Sequence, residues 1–212
     1  VEDYVRSIQA SCLPEDHRDT ELDRNITMSE LNNTIKNMTR KTGVNKGADP
    51  SGVHPFMIIK TGFWFRSMKL LFFNKCLDNG SWPWTTGKVI FLKKPKKENY
   101  MSVSSYRPIT LTAHLGKCLE RILEARIRTH LENEGHIDAN QEGFRECHST
   151  GRYIARLINN TDSARWKKMV AVALFLDLQK AFDSVWINGL LYKLHKAGVT
   201  CKMWSILSAF LN

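Results

Sequence analysis

The stretch VAVALFLD, from Val170 to Asp177, is a nearly continuous apolar run of strand length that ends on a carboxylate. Alternating polarity would mark a strand with one face in water. Continuity instead predicts a strand covered on both faces, which demands further structure above and below it. The chain has the means to build such layers: 212 residues, 42 % hydrophobic and 25 % charged, is the balance of a folded domain with one sizeable core. A disordered tail is excluded on the same ground.

The net charge of +10, with a pI near 9.5, points to a polyanionic partner, either nucleic acid or an anionic membrane. The excess is concentrated. Between Thr86 and His130 stand ten basic residues (Lys88, Lys93, Lys94, Lys96, Lys97, Arg107, Lys117, Arg121, Arg126, Arg128) against three acids (Glu98, Glu120, Glu124). Five dispersed cysteines with no C-x-x-C argue against a disulfide framework or zinc module and for a reduced, intracellular setting. The start VEDYVRSIQA has no apolar core, so no signal peptide is expected. Phe56 to Leu77 is apolar but interrupted by Lys60, Arg66, Lys69 and Lys75, which predicts a buried helix and no membrane span. A first residue other than Met and a last one inside a helical pattern suggest a piece of a longer protein.

The first 45 residues have the polar, punctuated pattern of a linker or satellite helix. Within them Thr27-Met28-Ser29-Glu30 has capping-box spacing, with Ile26 and Leu31 placed as a hydrophobic staple. That helix should run through Ile35 and Met38 to about Arg40 and stop at Gly43. Lys46 to Gly52 is turn material, and the long helical region after it should end at Asp78-Asn79-Gly80, with Gly62 a possible break. Val89 to Leu92 is predicted as a strand, and SYRPITL, where Pro108 forbids a helix interior, as extended. Leu115, Leu119, Ile122, Leu123, Ile127 and Leu131 form the apolar stripe of a helix ending at Gly135. Further helices are expected over 149–165, 188–196 and 200–211.

Three features could carry chemistry. Asp177 at the end of its apolar run would be costly as an unpaired ion; a divalent metal would remove that cost, and so would hydrogen bonds from backbone N–H groups at a strand-to-turn junction. Both readings stand. Asp183 suits a cap for the next turn or helix. The basic strand-loop KVIFLKKPKKENY with Arg107 downstream could form a triphosphate clamp, a lysine point charge beside an arginine fork, whereas Lys96 and Lys97 suit a solvated loop. In Gln141-Glu142-Gly143-Phe144-Arg145 the glycine permits close approach of a strand or base. Phe144 could stack on a base or sit in a core, and Arg145 could pair with Glu146 or a helix end. Trp64, Phe65, Phe72 and Phe73 fit core positions at helical spacing, and His148 beside Cys147 lacks further ligands at useful spacing.

The order SYRPITLTAHLGKCLERIL, QEGFRECHST, VALFLDLQKAFDSVW and LLYKLHKAGV, preceded by KGADPSGV and WPWTTGKVIFLKKP, resembles the reverse transcriptase of a LINE-type, non-LTR retrotransposon of the jockey-like or related groups. The resemblance covers roughly 46–212. It implies an α+β fold, with helices packed on short, mostly antiparallel strands: the fingers and partial palm of a right-hand polymerase. Residues 1–45 would be an N-terminal linker or helical extension, 46–168 the fingers and 169–212 the start of the palm. It further implies that Asp177, with the backbone carbonyl of Leu178, binds Mg²⁺, two ions serving the complete enzyme. Phe182 would be the gate that excludes a 2′-OH. Lys94 and Arg107 would hold the incoming dNTP, with Lys93 a close competitor for Lys94, while Gln141, Gly143 and Arg145 would lie near the template. The partners implied are an RNA template, a DNA primer and a dNTP, with no membrane, in the nucleus or a cytoplasmic ribonucleoprotein. Ala48-Asp49-Pro50-Ser51-Gly52-Val53 departs from the family's P-G-P-D-G-[IV], which puts that block's role in question. The aromatic-x-Asp-Asp motif does not occur in the 35 residues after Asp177, so this chain alone is expected to be inactive. An unpaired sheet edge and self-association are expected with it. The alternatives are a non-catalytic nucleic-acid-binding remnant and a protein-interaction module whose basic face is incidental.

Overall fold

The structure, a computed structural model, describes residues 1–11, 21–42 and 47–212. Its elements are α1 (Glu2–Ser11), α2 (Met28–Thr42), α3 (Pro55–Ile59), α4 (Phe63–Asp78), β1 (Lys88–Lys93), β2 (Tyr106–Leu111), α5 (His114–Asn133), α6 (Thr150–Trp166), α7 (Ile187–Lys196) and α8 (Cys201–Leu211). The predicted stop at Gly43 and the start of the turn at Lys46 lie outside the described residues. The chain divides into two compact units: Val1–His130 with Ile187–Asn212, and Leu131–Trp186.

The first unit holds the core. Leu31 and Ile35 of α2, Phe73 and Leu77 of α4, Leu119 and Ile122 of α5, Leu191 of α7 and Met203, Trp204 and Ile206 of α8 are buried together. Residues read from sequence as linker or satellite helix contribute Val5, Ile8, Leu22 and Ile26 to the same cluster. The capping box forms: Glu30 N–H donates to Thr27 Oγ1 at 3.2 Å, and Thr27 N–H donates to Glu30 Oε2 at 2.8 Å. Gly62 separates α3 from α4, and Gly135, at φ +68, ends α5.

Residues 22–27 are fastened from three sides. Arg126 of α5 is buried; its Nη1 donates to the carbonyls of Leu22 and Arg24 and its Nη2 to that of Asn25. The same guanidinium pairs with Glu30, 2.7 Å from Nε to Oε1. Asn74 of α4 both donates to the Ile26 carbonyl and accepts from the Ile26 N–H. Buried Asp23 accepts from the Met203 N–H at 2.8 Å, capping α8 where Thr200 supplies no side-chain bond.

Two expectations fail. Val170 to Asp177 is not a strand but irregular and exposed, Leu174 being 81 % accessible. A strand persists only with a hydrogen-bonded neighbour, and the one sheet among the described residues is the antiparallel pair β1–β2. Of the predicted core aromatics only Phe73 is buried; Trp64, Phe65 and Phe72 are exposed. Helix α4 is apolar around most of its circumference, so one face can enter the core while the other still carries large side chains.

Replacing Arg126 by Met should cost about 3–5 kcal/mol, because Glu30 and three carbonyls lose their donor together; urea melts would measure it. Burial pushes the Glu30 carboxyl up, but the bonds from Arg126 and Thr27 outweigh it and hold it at about 2, below the usual 4.5. The group is depressed on folding, so its stabilisation is present above pH 4.5 and lost as pH falls toward 2. Glu30→Gln should flatten that part of the acid-unfolding curve.

Candidate functional site

In the first unit, register decides which basic side chains stand together. Leu92 lies opposite Arg107, and Lys93 opposite Tyr106. Opposed residues share a face and neighbours along a strand alternate, so Lys94, one step past Lys93, returns to the face of Leu92 and Arg107. The ladder reaches that far, since Lys94 N–H donates to the Ser105 carbonyl at 2.9 Å. Lys94 and Arg107 are thus diagonal neighbours on one face. Lys93 turns to the other, its Nζ 5.1 Å from the centre of the Tyr100 ring. Lys94 Nζ donates to the Ser104 carbonyl at 2.8 Å, which leaves two of its three N–H donors for a ligand. Exposed Arg107 has no side-chain bond to any described residue.

The connection 94–105 holds itself in place: Tyr100 Oη donates to the Lys94 carbonyl at 2.8 Å and Tyr106 Oη to that of Tyr100 at 3.1 Å. The doubtful block at 48–53 has a structural task. Asp49 accepts from Ser51 N–H, Ser51 Oγ and Val53 N–H through one oxygen and from His114 N–H, at the start of α5, through the other. Gly52, at φ +82, makes the turn possible. Burial pushes the Asp49 carboxyl up, and these four bonds bring it below the usual range.

In the second unit, the loop 134–149 is organised by ion pairs. Arg145 grips Glu132 with both arms, at 3.0 Å and 2.6 Å, and donates to the Asp138 carbonyl. The partner is Glu132, in the last turn of α5, so of the two expected pairings it is the helix end and not Glu146. Glu142 is buried and receives Arg156 at 2.7 Å, while its Oε2 has no hydrogen-bond partner. Gln141 donates to the Gly143 carbonyl at 3.2 Å, and the space above Gly143 is open. Phe144, at φ +60, is exposed, which removes the core reading and leaves its ring free to stack. It meets Phe182 edge-to-face with centroids 6.5 Å apart. The loop and the segment after Asp177 therefore meet through two exposed aromatic rings.

Asp177, Leu178 and Phe182 are all exposed, and Asp177 makes no hydrogen bond to a described residue. Asp183 makes no capping bond either; the turn there closes through Ser184 N–H and Oγ to the Lys180 carbonyl. Among the described residues no three His, Cys, Asp or Glu side chains gather as a metal centre. Asp177 can be one ligand. One carboxylate cannot hold two ions about 3.5–4 Å apart, so these residues do not form a two-metal site by themselves. Nor, among them, is any helix long and apolar enough to cross a membrane.

A family model of reverse transcriptase (RNA-dependent DNA polymerase) matches residues 93–211, a span that includes every site residue named above. The chain belongs to the reverse transcriptase family. Within it the chain is of the LINE-type, non-LTR kind. The RNA-directed DNA polymerase from mobile element jockey of Drosophila funebris is 39 % identical over 143 residues, covering 66 % of this chain and 15 % of that protein. Its Drosophila melanogaster counterpart is 41 % identical over 125 residues, or 58 % and 14 %. The probable RNA-directed DNA polymerase from transposon BS of Drosophila melanogaster is 35 % identical over 113 residues, or 53 % and 12 %. This reverse transcriptase chain thus spans about one-seventh of the length of the jockey proteins. Enzymes of the family generally use divalent metals.

Arg145→Lys keeps the charge and loses the fork. It should speed amide hydrogen exchange across residues 134–146 while leaving α4 and α5 protected, as mass spectrometry after deuterium labelling would register.

Proposed function

We propose that this chain is the fingers and first palm segment of an RNA-directed DNA polymerase that extends a DNA primer on an RNA template. Residues 46–168 are assigned to the fingers, 169–212 to the beginning of the palm, and 1–45 to an N-terminal linker or helical extension. What supports the reading most is the shared face of Lys94 and Arg107, a point charge beside a fork with donors to spare. The exposure of the apolar run before Asp177 suits a palm strand apart from its sheet neighbours.

In this reading the primer 3′-OH attacks the α-phosphate of a dNTP in line, and pyrophosphate leaves. Lys94 and Arg107 orient the triphosphate and stabilise the charge that gathers on the departing oxygens. Asp177 and the carbonyl of Leu178 are this chain's share of a magnesium site whose remaining ligands come from an aromatic-x-Asp-Asp motif. Bound magnesium supplies charge stabilisation at the attacking and leaving oxygens. Phe182 presses against the sugar, where a ring that accepts no hydrogen bond disfavours a 2′-OH. Gln141, Gly143 and Arg145 shape the template side, Arg145 by holding the loop through Glu132 rather than by direct contact.

The test is primer extension by a protein that carries this segment together with an aromatic-x-Asp-Asp motif. Asp177→Asn should abolish extension and leave RNA binding nearly intact; extension close to the wild-type rate would take Asp177 out of the site. Arg107→Gln should raise the KM for dNTP about tenfold or more, through loss of a charge-assisted bond. Lys94→Gln should act in the same direction and more strongly than Lys93→Gln, whose ammonium lies over Tyr100 on the opposite face. Equal effects of the two lysines would overturn the assignment by register.

A further inference from the structure

In the second unit the gate proposed for Phe182 has little to hold it. The ring is 82 % exposed, on a turn closed by Ser184 N–H and Oγ to the Lys180 carbonyl. A bulky ring excludes a hydroxyl only while it keeps its place, and a side chain exposed to this degree otherwise changes rotamer on the ps–ns scale. Its one aromatic contact among the described residues is Phe144, edge-to-face with centroids 6.5 Å apart. Rings in that arrangement attract each other beyond the apolar area they cover.

Phe144 is itself held from both sides. Two residues before it, Glu142 is buried and takes Arg156 at 2.7 Å, with Arg152, one turn earlier on α6, at 3.6 Å. Arg156 also donates to Asn140 Oδ1 at 3.2 Å, so one side chain spans both sides of Gln141. The residue after Phe144, Arg145, is fastened to Glu132 through two nitrogens. Between these anchors Phe144 has φ +60, a left-handed conformation that a residue with a β-carbon resists and that persists only where the surroundings impose it. Its ring is left 87 % exposed, so burial does not offset that strain. Clamps on both sides thus hold a strained residue whose ring reaches no core and meets Phe182 instead.

We infer that Phe144 is a positioning residue for sugar discrimination: its ring backs Phe182 and restricts the rotation by which the gate would swing away from a 2′-OH. The inference rests on the gate role proposed above for Phe182. It differs from stacking of Phe144 on a template base, which would act on dNTP and NTP alike, whereas a backed gate acts on their ratio.

The experiment measures kcat/KM for a dNTP and for the matching NTP, with a protein that carries this segment together with an aromatic-x-Asp-Asp motif. Phe144→Ala should lower the dNTP/NTP ratio about fivefold through faster use of the NTP, a gain that misfolding cannot produce. Phe144→Tyr keeps the ring and should keep the ratio. Phe182→Ala should lower the ratio further, and adding Phe144→Ala to that variant should lower it no more, since the two rings act as one unit. In the 212-residue chain with 4-fluorophenylalanine in place of Phe182, Phe144→Leu should move the fluorine resonance. Equal losses with dNTP and NTP, or a fluorine resonance that stays where it was, would overturn the backing role and leave the gate in place. A ratio unchanged by Phe182→Ala would overturn the gate and the backing together.

Discussion

The first unit is organised around a single buried cation. The Arg126 guanidinium has five N–H donors and no accepting atom, and its three nitrogens are all engaged, with Glu30 and with the carbonyls of Leu22, Arg24 and Asn25. Burying that charge without these partners would cost several kcal/mol, so the helix carrying it and the segment accepting from it must arrive together. The same carboxylate that neutralises Arg126 closes the capping box of α2. Asn74 and Asp23 extend the tie from this segment to α4 and α8. A stretch with only four residues between Leu22 and Thr27 thereby sets the packing of four helices.

Most of the helical architecture was legible because local rules decide it. The Thr27–Glu30 spacing, the stripe from Leu115 to Leu131, Gly62 between two apolar stretches and Gly135 past the last one each specify a boundary through short-range sterics or hydrogen bonding. What was not legible depended on partners distant in sequence. Nothing near Arg126 distinguishes it from Arg121 five residues earlier, yet one is buried under a loop a hundred residues away and the other lines a cleft. Asp49 is an intermediate case: an aspartate two residues before a serine and three before a glycine already suggests an Asx turn, but its bond to His114 does not show in the pattern.

The apolar run before Asp177 misled for the same reason in reverse. Continuity correctly marks residues suited to burial on two faces, but a sequence pattern cannot say whether the neighbouring strands are at hand. The second unit has no buried residue in α6. Its order comes from Arg145–Glu132 and Arg156–Glu142 instead, pairs that fix a loop without enclosing a core. Gln141, Gly143, Asp177, Leu178 and Phe182 stand exposed on a frame held by charge, in which Arg145 is half-buried, and the rings of Phe144 and Phe182 meet there.

The distribution of basic residues takes on a different meaning once their partners are known. The ten between Thr86 and His130 are not one field: Arg126 is neutralised in the core by Glu30, and Arg128 pairs along α5 with Glu124. Such cations stabilise the fold and have little potential left for a ligand. Among the described residues Lys94 and Arg107 have no acidic partner within bonding distance, and they share one face of the hairpin. Cations held on rigid elements without an acidic partner keep a positive surface potential that draws an anion to them. That residual potential, rather than the net charge of +10, is the physical basis for expecting phosphates at this face.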